Sequence, residues 1–364
     1  MSTTKKVLVA MSGGVDSSAT AALLQAAGYS CIGCTMKLYE SEDTDQPQRR
    51  SCCTLEDVED ARSAAYRLKM PYYVFNMKDR FQQDVIEPFI CSYEAGCTPN
   101  PCIACNRYLK FDALLARAAL LGCDYLATGH YARIEKQNGK FLLKKALDDQ
   151  KDQSYVLYNL TQDILAHLLL PLGTMKKSDA RQVARSNGFL NADKPDSQDI
   201  CFVPGGNYAA VIERHRGCSS TSGPFLDLTG KVLGTHRGII HYTIGQRKGL
   251  GLSFPEPMYV CGIDAAHNTV TLGPNSALFS RTAFADDVNW ILGETPDAPF
   301  RCTVKIRYRQ PEQPATVTPL PSGQIQILFD MPQRAITPGQ AAVLYHGDLV
   351  LGGGTLCATA PETP

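Results

Sequence analysis

The sequence predicts an α/β protein: a Rossmann-like, doubly wound parallel sheet, followed by a small mainly β linker unit and a C-terminal antiparallel β-barrel. Three observations predict this order. Short apolar runs at 7–10, 30–36, 72–76 and 124–128 alternate with helical patterns, the signature of βαβ units. A Gly-Gly turn follows the first run and opens a helix directly. From residue 223 onward, short strands punctuated by Gly and Pro take over, as in sandwiches and barrels. At 364 residues the chain exceeds one ordinary core, and we divide it into 1–205, 206–280 and 281–364, the first boundary falling near Pro204-Gly205-Gly206.

Each element has a local reason. The first helix runs to about Ala27 and stops at Gly28, a residue that tolerates the left-handed backbone of a helix end. After a polar linker from Glu40 to Arg50, Thr54 caps Leu55–Lys69, where Leu55, Val58, Ala61, Ala65 and Leu68 recur at helical steps. Asn106 precedes another helix, carried by Leu109, Ala113, Leu114, Ala118 and Leu121 and ended by Gly122. Asn138-Gly139 turns a hairpin between 131–136 and 140–145. Lys151-Asp152-Gln153-Ser154 leads into an apolar segment ending at Leu170, and Ser178 caps a helix that stops at Asn187-Gly188. In the last unit, 303–309 alternates Val304, Ile306 and Tyr308 with Lys305, Arg307 and Arg309, predicting a half-buried strand with a basic outer face. Further short strands are expected at 324–329, 341–345 and 348–351.

Composition excludes several classes. Thirty-six basic and 36 acidic residues cancel, so a nucleic-acid partner must be met by local patches and not by a global field. Lys5-Lys6 is followed by only a short apolar run, too brief for a signal peptide, and no apolar stretch is long enough to span a bilayer. The expectation is a cytoplasmic protein with no membrane partner. Fourteen cysteines without a secretory signal point to buried thiols plus a minority engaged in redox, metal or sulfur chemistry.

The turn at Ala10-Met11-Ser12-Gly13-Gly14-Val15-Asp16-Ser17 suits an anion. Its glycines let backbone approach a phosphate, while serine hydroxyls join the unpaired N–H groups and positive dipole end of the helix. No Gly-Lys-Ser/Thr follows, so the lysine of a Walker loop is absent.

Among the thiols, Cys102 and Cys105 lie in a proline-braced loop, Thr98-Pro99-Asn100-Pro101-Cys102-Ile103-Ala104-Cys105. If the helix begins near Asn106, Cys105 stands at its entrance, where a thiolate is favoured. Cys201 follows an unusually polar run, Asp196-Ser197-Gln198-Asp199. Cys31 and Cys34 share a predicted strand, point to opposite faces and are expected in the core, as is Cys123. Cys52-Cys53 stays unassigned.

Taken together, several stretches resemble the tRNA-specific 2-thiouridylase family, which belongs to the pyrophosphate-loop enzymes with the adenine nucleotide α-hydrolase-like fold. They are Ser12 to Ser17, Thr128-Gly129-His130-Tyr131-Ala132-Arg133, Lys151-Asp152-Gln153-Ser154-Tyr155, Asp196 to Gly206, Tyr242 to Gly251 and Arg307-Tyr308-Arg309. The resemblance spans nearly the whole chain and lies in the order of the motifs. It implies ATP in the cradle Ala10 to Ser17, bordered by Met36 and Gly129, with Asp16 serving Mg²⁺ or the loop. The uridine C2 oxygen would be adenylated and then displaced by sulfur from a persulfide donor, a cysteine desulfurase or sulfur-relay protein. Cys201 would carry the sulfur and Cys105 would attack it, leaving a Cys105–Cys201 disulfide.

The resemblance also assigns tRNA contacts to Asn100, Pro101 and Cys102 at the target base, and to His130, Lys151, Asp152, Gln153, Arg307, Tyr308 and Gln340. Many family members carry Asp where this chain has Cys102. A thiol does not inherit acid/base work, and Cys102, Cys105 and Cys201 would instead suit three ligands of an iron–sulfur cluster, or of zinc. A pyrophosphate-loop ligase that transfers nitrogen to an adenylated substrate would use the same ATP loop, and the thiols discriminate against it.

Overall fold

The computed structural model describes residues 4–39, 55–196 and 200–357. The linker at 40–50, Cys52-Cys53, the Thr54 cap and Ser197-Gln198-Asp199 lie outside the described residues.

Among the described residues, the first half holds the strands β1 (Lys6–Ala10), β2 (Ser30–Lys37), β3 (Tyr72–Asn76), β4 (Tyr125–Ala127), β5 (Ala132–Gln137), β6 (Lys140–Lys145) and β7 (Leu168–Leu169). Five of them form a sheet in the order β3-β2-β1-β4-β7, paired in parallel throughout. Helices cover both faces. Val7, Val9 and Cys31 pack with Ala21, Ala61 and Ala65 from the helices Val15–Ala26 and Leu55–Arg67. Leu8 and Cys34 pack with Phe81, Phe89, Phe111 and Leu114 from the helical segments 78–94 and 101–120. Cys31 and Cys34 are therefore core residues on opposite faces, as expected, and burial pushes the Cys31 thiol up to about 11. The chain leaves β1 toward β2 on one side and returns to β4 on the other. That reversal opens a crevice at the carboxyl ends of β1 and β4, where such sheets bind ligands.

The middle unit is a four-stranded sheet in the order β10-β11-β8-β9, from β8 (Gly223–Leu226), β9 (Val232–His236), β10 (Tyr259–Asp264) and β11 (Thr269–Gly273). Beyond it come β12 (Phe279–Trp290), β13 (Phe300–Lys305), β14 (Gln313–Pro319), β15 (Ile325–Arg334), β16 (Ala341–His346) and β17 (Leu349–Leu356). Because β12 pairs with both β15 and β17, these strands close into a barrel around Val304, Val317, Ile327, Phe329 and Leu344. Among the described residues, no helix is long and apolar enough to cross a membrane.

Three local expectations are corrected, and the hairpin gains a second partner. The helix carrying the paired thiols begins at Pro101, not near Asn106, because the Asn100 side chain accepts the Cys102 N–H (3.2 Å) and Pro101 takes the first helical position. The helix near 178 is preceded by Lys176, whose N–H donates to the Asp179 carboxylate (3.3 Å), so Ser178 is not its cap. The strand expected at 303–309 is Phe300–Lys305, and Lys305 and Arg307 are half-buried instead of forming a basic outer face. The hairpin β5–β6 forms around Asn138-Gly139 with both residues at positive φ (52° and 81°), but it also joins the barrel sheet where Lys144 pairs with Leu349.

Candidate active site

The phosphate loop sits at the mouth of the crevice. Met11 is fixed at the end of β1, its N–H donating to the Cys34 carbonyl (2.7 Å) and its carbonyl accepting the Thr35 hydroxyl (2.5 Å). Gly13 adopts φ +76°, and a Cβ there would collide with the Asp57 backbone, its Cα only 2.7 Å away. Ser17 Oγ accepts the Ser12 N–H (3.1 Å) and donates to the Gly14 carbonyl (3.0 Å), closing the loop on itself. Gly14 is the residue before the helix, and among the described residues no side chain caps that helix start. Gly129 crosses so closely that its Cβ would lie 2.9 Å from the Ser17 nitrogen. Met36 is buried on β2, in a core cluster with Leu8, Leu38 and Tyr39.

Behind the loop runs a chain of opposite charges. Tyr131 donates its hydroxyl to Asp16 Oδ1 (2.7 Å), and Lys177 Nζ meets Asp16 Oδ1 and Oδ2 (2.8 and 2.7 Å). The same ammonium reaches Asp196 Oδ1 (2.6 Å), while Lys151 meets Asp196 Oδ2 (2.9 Å). Burial opposes charge on Asp196, but the bonds from Lys177 and Lys151 outweigh it and hold the carboxyl below its ordinary range. Asp16 is thus engaged by both Lys177 and Tyr131.

Cys102 and Cys105 sit on one helix and Cys201 on a later segment. Cys102 is exposed on the first helical turn and Cys105, three residues on, is partly buried on the second, so the two share a helix face. From Cys105 the helix widens into i→i+5 turns, a feature common at functional sites. Cys201 is partly buried. Its carbonyl accepts the Tyr39 hydroxyl (3.3 Å), and Phe202 stacks edgewise on Phe81 and Phe89. No three His, Cys, Asp or Glu side chains among the described residues are grouped to hold a metal. Cys102 and Cys105 ride one helix, while the Cys201 backbone is held by Tyr39 beside the aromatic cluster that takes Phe202.

Several residues expected at tRNA hold the scaffold in this structure. Gln340 donates its amide to the Thr98 carbonyl (2.7 Å), and the Thr98 N–H donates to the Pro338 carbonyl (2.8 Å). The barrel thereby braces the loop that carries Asn100, Pro101 and Cys102. Asp152 accepts from the Ala146 and Ser154 N–H groups and the Ser154 hydroxyl, and Gln153 Oε1 accepts the Tyr131 N–H (2.9 Å). Arg307 donates to the Ala335 carbonyl (3.0 Å) and to Thr337 Oγ1 (2.6 Å), and burial lowers its pKa. Tyr308 packs on Tyr155 with ring centroids 5.8 Å apart. Lys151 is about one-third exposed beside the crevice. We expect Lys151→Gln to weaken tRNA binding and to shallow the salt dependence by about one counterion, and Arg307→Gln to lower the unfolding free energy instead; filter binding across a salt series and denaturant unfolding check the pair.

His130 is buried with its Nδ1 2.7 Å from Thr128 Oγ1 and its ring against Phe111. Burial, with a smaller contribution from Lys110, pushes its pKa well below the ordinary histidine value. In the unfolded chain the ring gains a proton below about pH 6.5, whereas the folded ring stays neutral. Stability is therefore lost as pH falls from 6.5 toward the folded pKa, by about 1 kcal/mol at one unit below. Denaturant unfolding at pH 7.5 and 5.5 should show a larger loss in the wild type than in His130→Gln, which keeps His236 and His241, both also lowered by burial.

Two participants escaped the sequence reading. Asn191 donates to the Gly13 carbonyl (2.8 Å) and Ser18 Oγ (3.0 Å), while its buried Oδ1 has no partner among the described residues. Lys177 opens a helix that reads as a surface amphipathic one. No motif marks either residue; long-range packing alone brings them to the loop.

A phosphate loop at the switch point of a parallel sheet defines the class: a nucleotide-binding α/β enzyme. Family models agree in order along the chain, a tRNA methyl transferase HUP domain over 5–205, a tRNA methyl transferase PRC-barrel domain over 210–274 and an aminomethyltransferase β-barrel domain over 280–356. Two relatives are named tRNA-specific 2-thiouridylase MnmA. One, from Clostridioides difficile, is 49% identical over 354 residues, covering 97% of this chain and 98% of its own. The other, from Moorella thermoacetica, is 52% identical over 356 residues, covering 97% and 99%. A solved complex of a 4-thiouridine synthetase with RNA and bound ATP aligns at TM-score 0.35 and 15% identity over 58% of this chain and 50% of that chain, a likeness on which nothing here rests. The chain belongs to the tRNA-specific 2-thiouridylase family, a conclusion carried by the full-length relatives and not by the methyl-transfer wording of the domain descriptions.

Proposed function

We propose that the chain thiolates C2 of the wobble uridine of tRNA at the expense of ATP, in the cytoplasm. Identity near 50% across almost the full length of named 2-thiouridylases carries this reading, and the closed phosphate loop supports it. The uridine O2 attacks the α-phosphate of ATP and pyrophosphate leaves. A persulfide on Cys201, supplied by a sulfur-donor protein, provides the sulfur. The Cys105 thiolate attacks Cys201 Sγ, forming the Cys105–Cys201 disulfide and releasing sulfide, which attacks C2 as AMP departs. A thiol reductant then restores both cysteines.

This route needs Cys105 and Cys201 to converge, as a cluster would need all three thiols, and an iron and labile-sulfide assay separates the two: a metal-free, fully active enzyme supports the persulfide route. The functional division follows the units 1–205, 206–280 and 281–364, with the last serving tRNA. The test is nucleoside mass spectrometry of tRNA incubated with enzyme, ATP and a persulfide donor. 2-Thiouridine with stoichiometric AMP supports the reading; tRNA-independent ATP cleavage with no thiolated nucleoside defeats it.

A further inference from the structure

The phosphate loop has no lysine of its own, yet a buried lysine reaches it from a distant helix. Lys177 is the first residue of the helix Lys177–Ser186 and its side chain is only 10% exposed. Lysine is seldom buried unless paired, and here the three ammonium donors are matched by three carboxylate oxygens, Asp16 Oδ1, Asp16 Oδ2 and Asp196 Oδ1. Asp16 does not depend on it alone, since Tyr131 also donates to Oδ1. Asp196 likewise keeps Lys151, with Arg181 3.9 Å away. Lys177 therefore has two donors committed to Asp16, a residue in the first turn of the helix that the phosphate loop opens.

We propose that Lys177 is a phosphate-binding residue of the nucleotide site, supplying from a separate helix the charge that a Walker loop carries within itself. When a polyphosphate enters, the ammonium gives up an Asp16 oxygen for a phosphate oxygen and stays anchored on Asp196, while Tyr131 keeps Asp16 in place. Phosphate gains a charge-assisted hydrogen bond, and the loop needs no lysine. This inference rests on the nucleotide reading of the loop but not on tRNA or sulfur chemistry.

The experiment is calorimetric titration of the full-length protein with α,β-methylene ATP and, separately, with adenosine. Lys177→Met should weaken the triphosphate analogue by about tenfold or more and leave adenosine unchanged, with Lys177→Arg recovering part of the loss. Undiminished binding of the analogue, or equal losses for both ligands, would overturn the proposal. Should Lys177→Met fail to fold, Lys177→Gln decides: its amide can still bridge the Asp16 and Asp196 carboxylates without the charge, so it should lose analogue affinity without altering adenosine, and undiminished binding of the analogue overturns the assignment. Absence of analogue binding by the wild type would sink the nucleotide reading itself, whereas failed thiolation with intact analogue binding would sink only the proposed sulfur transfer.

Discussion

Cys201→Ser is expected to abolish formation of 2-thiouridine while leaving tRNA-dependent release of pyrophosphate intact. The substitution changes one atom and leaves the backbone contact of Cys201 and the packing of Phe202 in place. Tyr39 bonds to the Cys201 carbonyl, and Phe202 is held by Phe81 and Phe89. A hydroxyl cannot carry persulfide sulfur, so product should fall by roughly a thousandfold or more, while adenylation, which needs only the loop and the uridine oxygen, continues. Cys105→Ser should give the same dissociation, with sulfur now trapped on Cys201 and visible by mass spectrometry as a persulfide. Undiminished 2-thiouridine in either variant would overturn the roles proposed for these thiols.

The second large effect is expected at Gly13. Alanine there meets two penalties: a left-handed backbone at φ +76°, and a Cβ driven into the Asp57 backbone. Strain and overpacking together should cost about 3 kcal/mol of stability. Asp57 is not free to yield, because Lys194 ties it (2.8 Å) and Asp60 (2.7 Å) to the segment that follows Asn191. Relief must therefore come from the loop itself, moving Ser12 and Ser17 off the positions in which they would meet phosphate. Thermal unfolding should report the lost stability and calorimetry the lost ATP binding. Gly14→Ala is the control, since its nearest Cβ contact, Ser12 Oγ at 3.5 Å, is ordinary.

Sequence periodicity made the parallel sheet and the barrel legible because both rest on local rules. Apolar runs at β1, β2 and β3 are short and bounded by turn residues, and the Asn138-Gly139 hairpin announces itself. The errors arose where local signals competed. Asn100-Pro101 and Asn106 both read as helix starts, and the Asn100 side chain, bonded to the Cys102 N–H, decided in favour of the earlier one. The alternation at 303–309 is genuine, but the chain leaves the strand after Lys305 and turns Arg307 toward Ala335 and Thr337. The phosphate loop could be read directly, since its chemistry is contiguous. Its supports could not: Asn191, Lys177 and Asp57 come from remote segments and have ordinary neighbours in sequence.

The hairpin β5–β6 belongs to the first half by position and to the barrel by pairing, clasped by Arg133–Asp348 (2.6 Å) and Lys145–Glu312 (2.5 Å). Gln340 ties the thiol loop to the same barrel. The carboxyl-terminal unit therefore cannot be cut away or exchanged like a bead on a string. A fragment ending before residue 280 would keep its sheet and its nucleotide loop, yet bare a sticky strand margin at β6 and lose the buttress beneath Cys102 and Cys105.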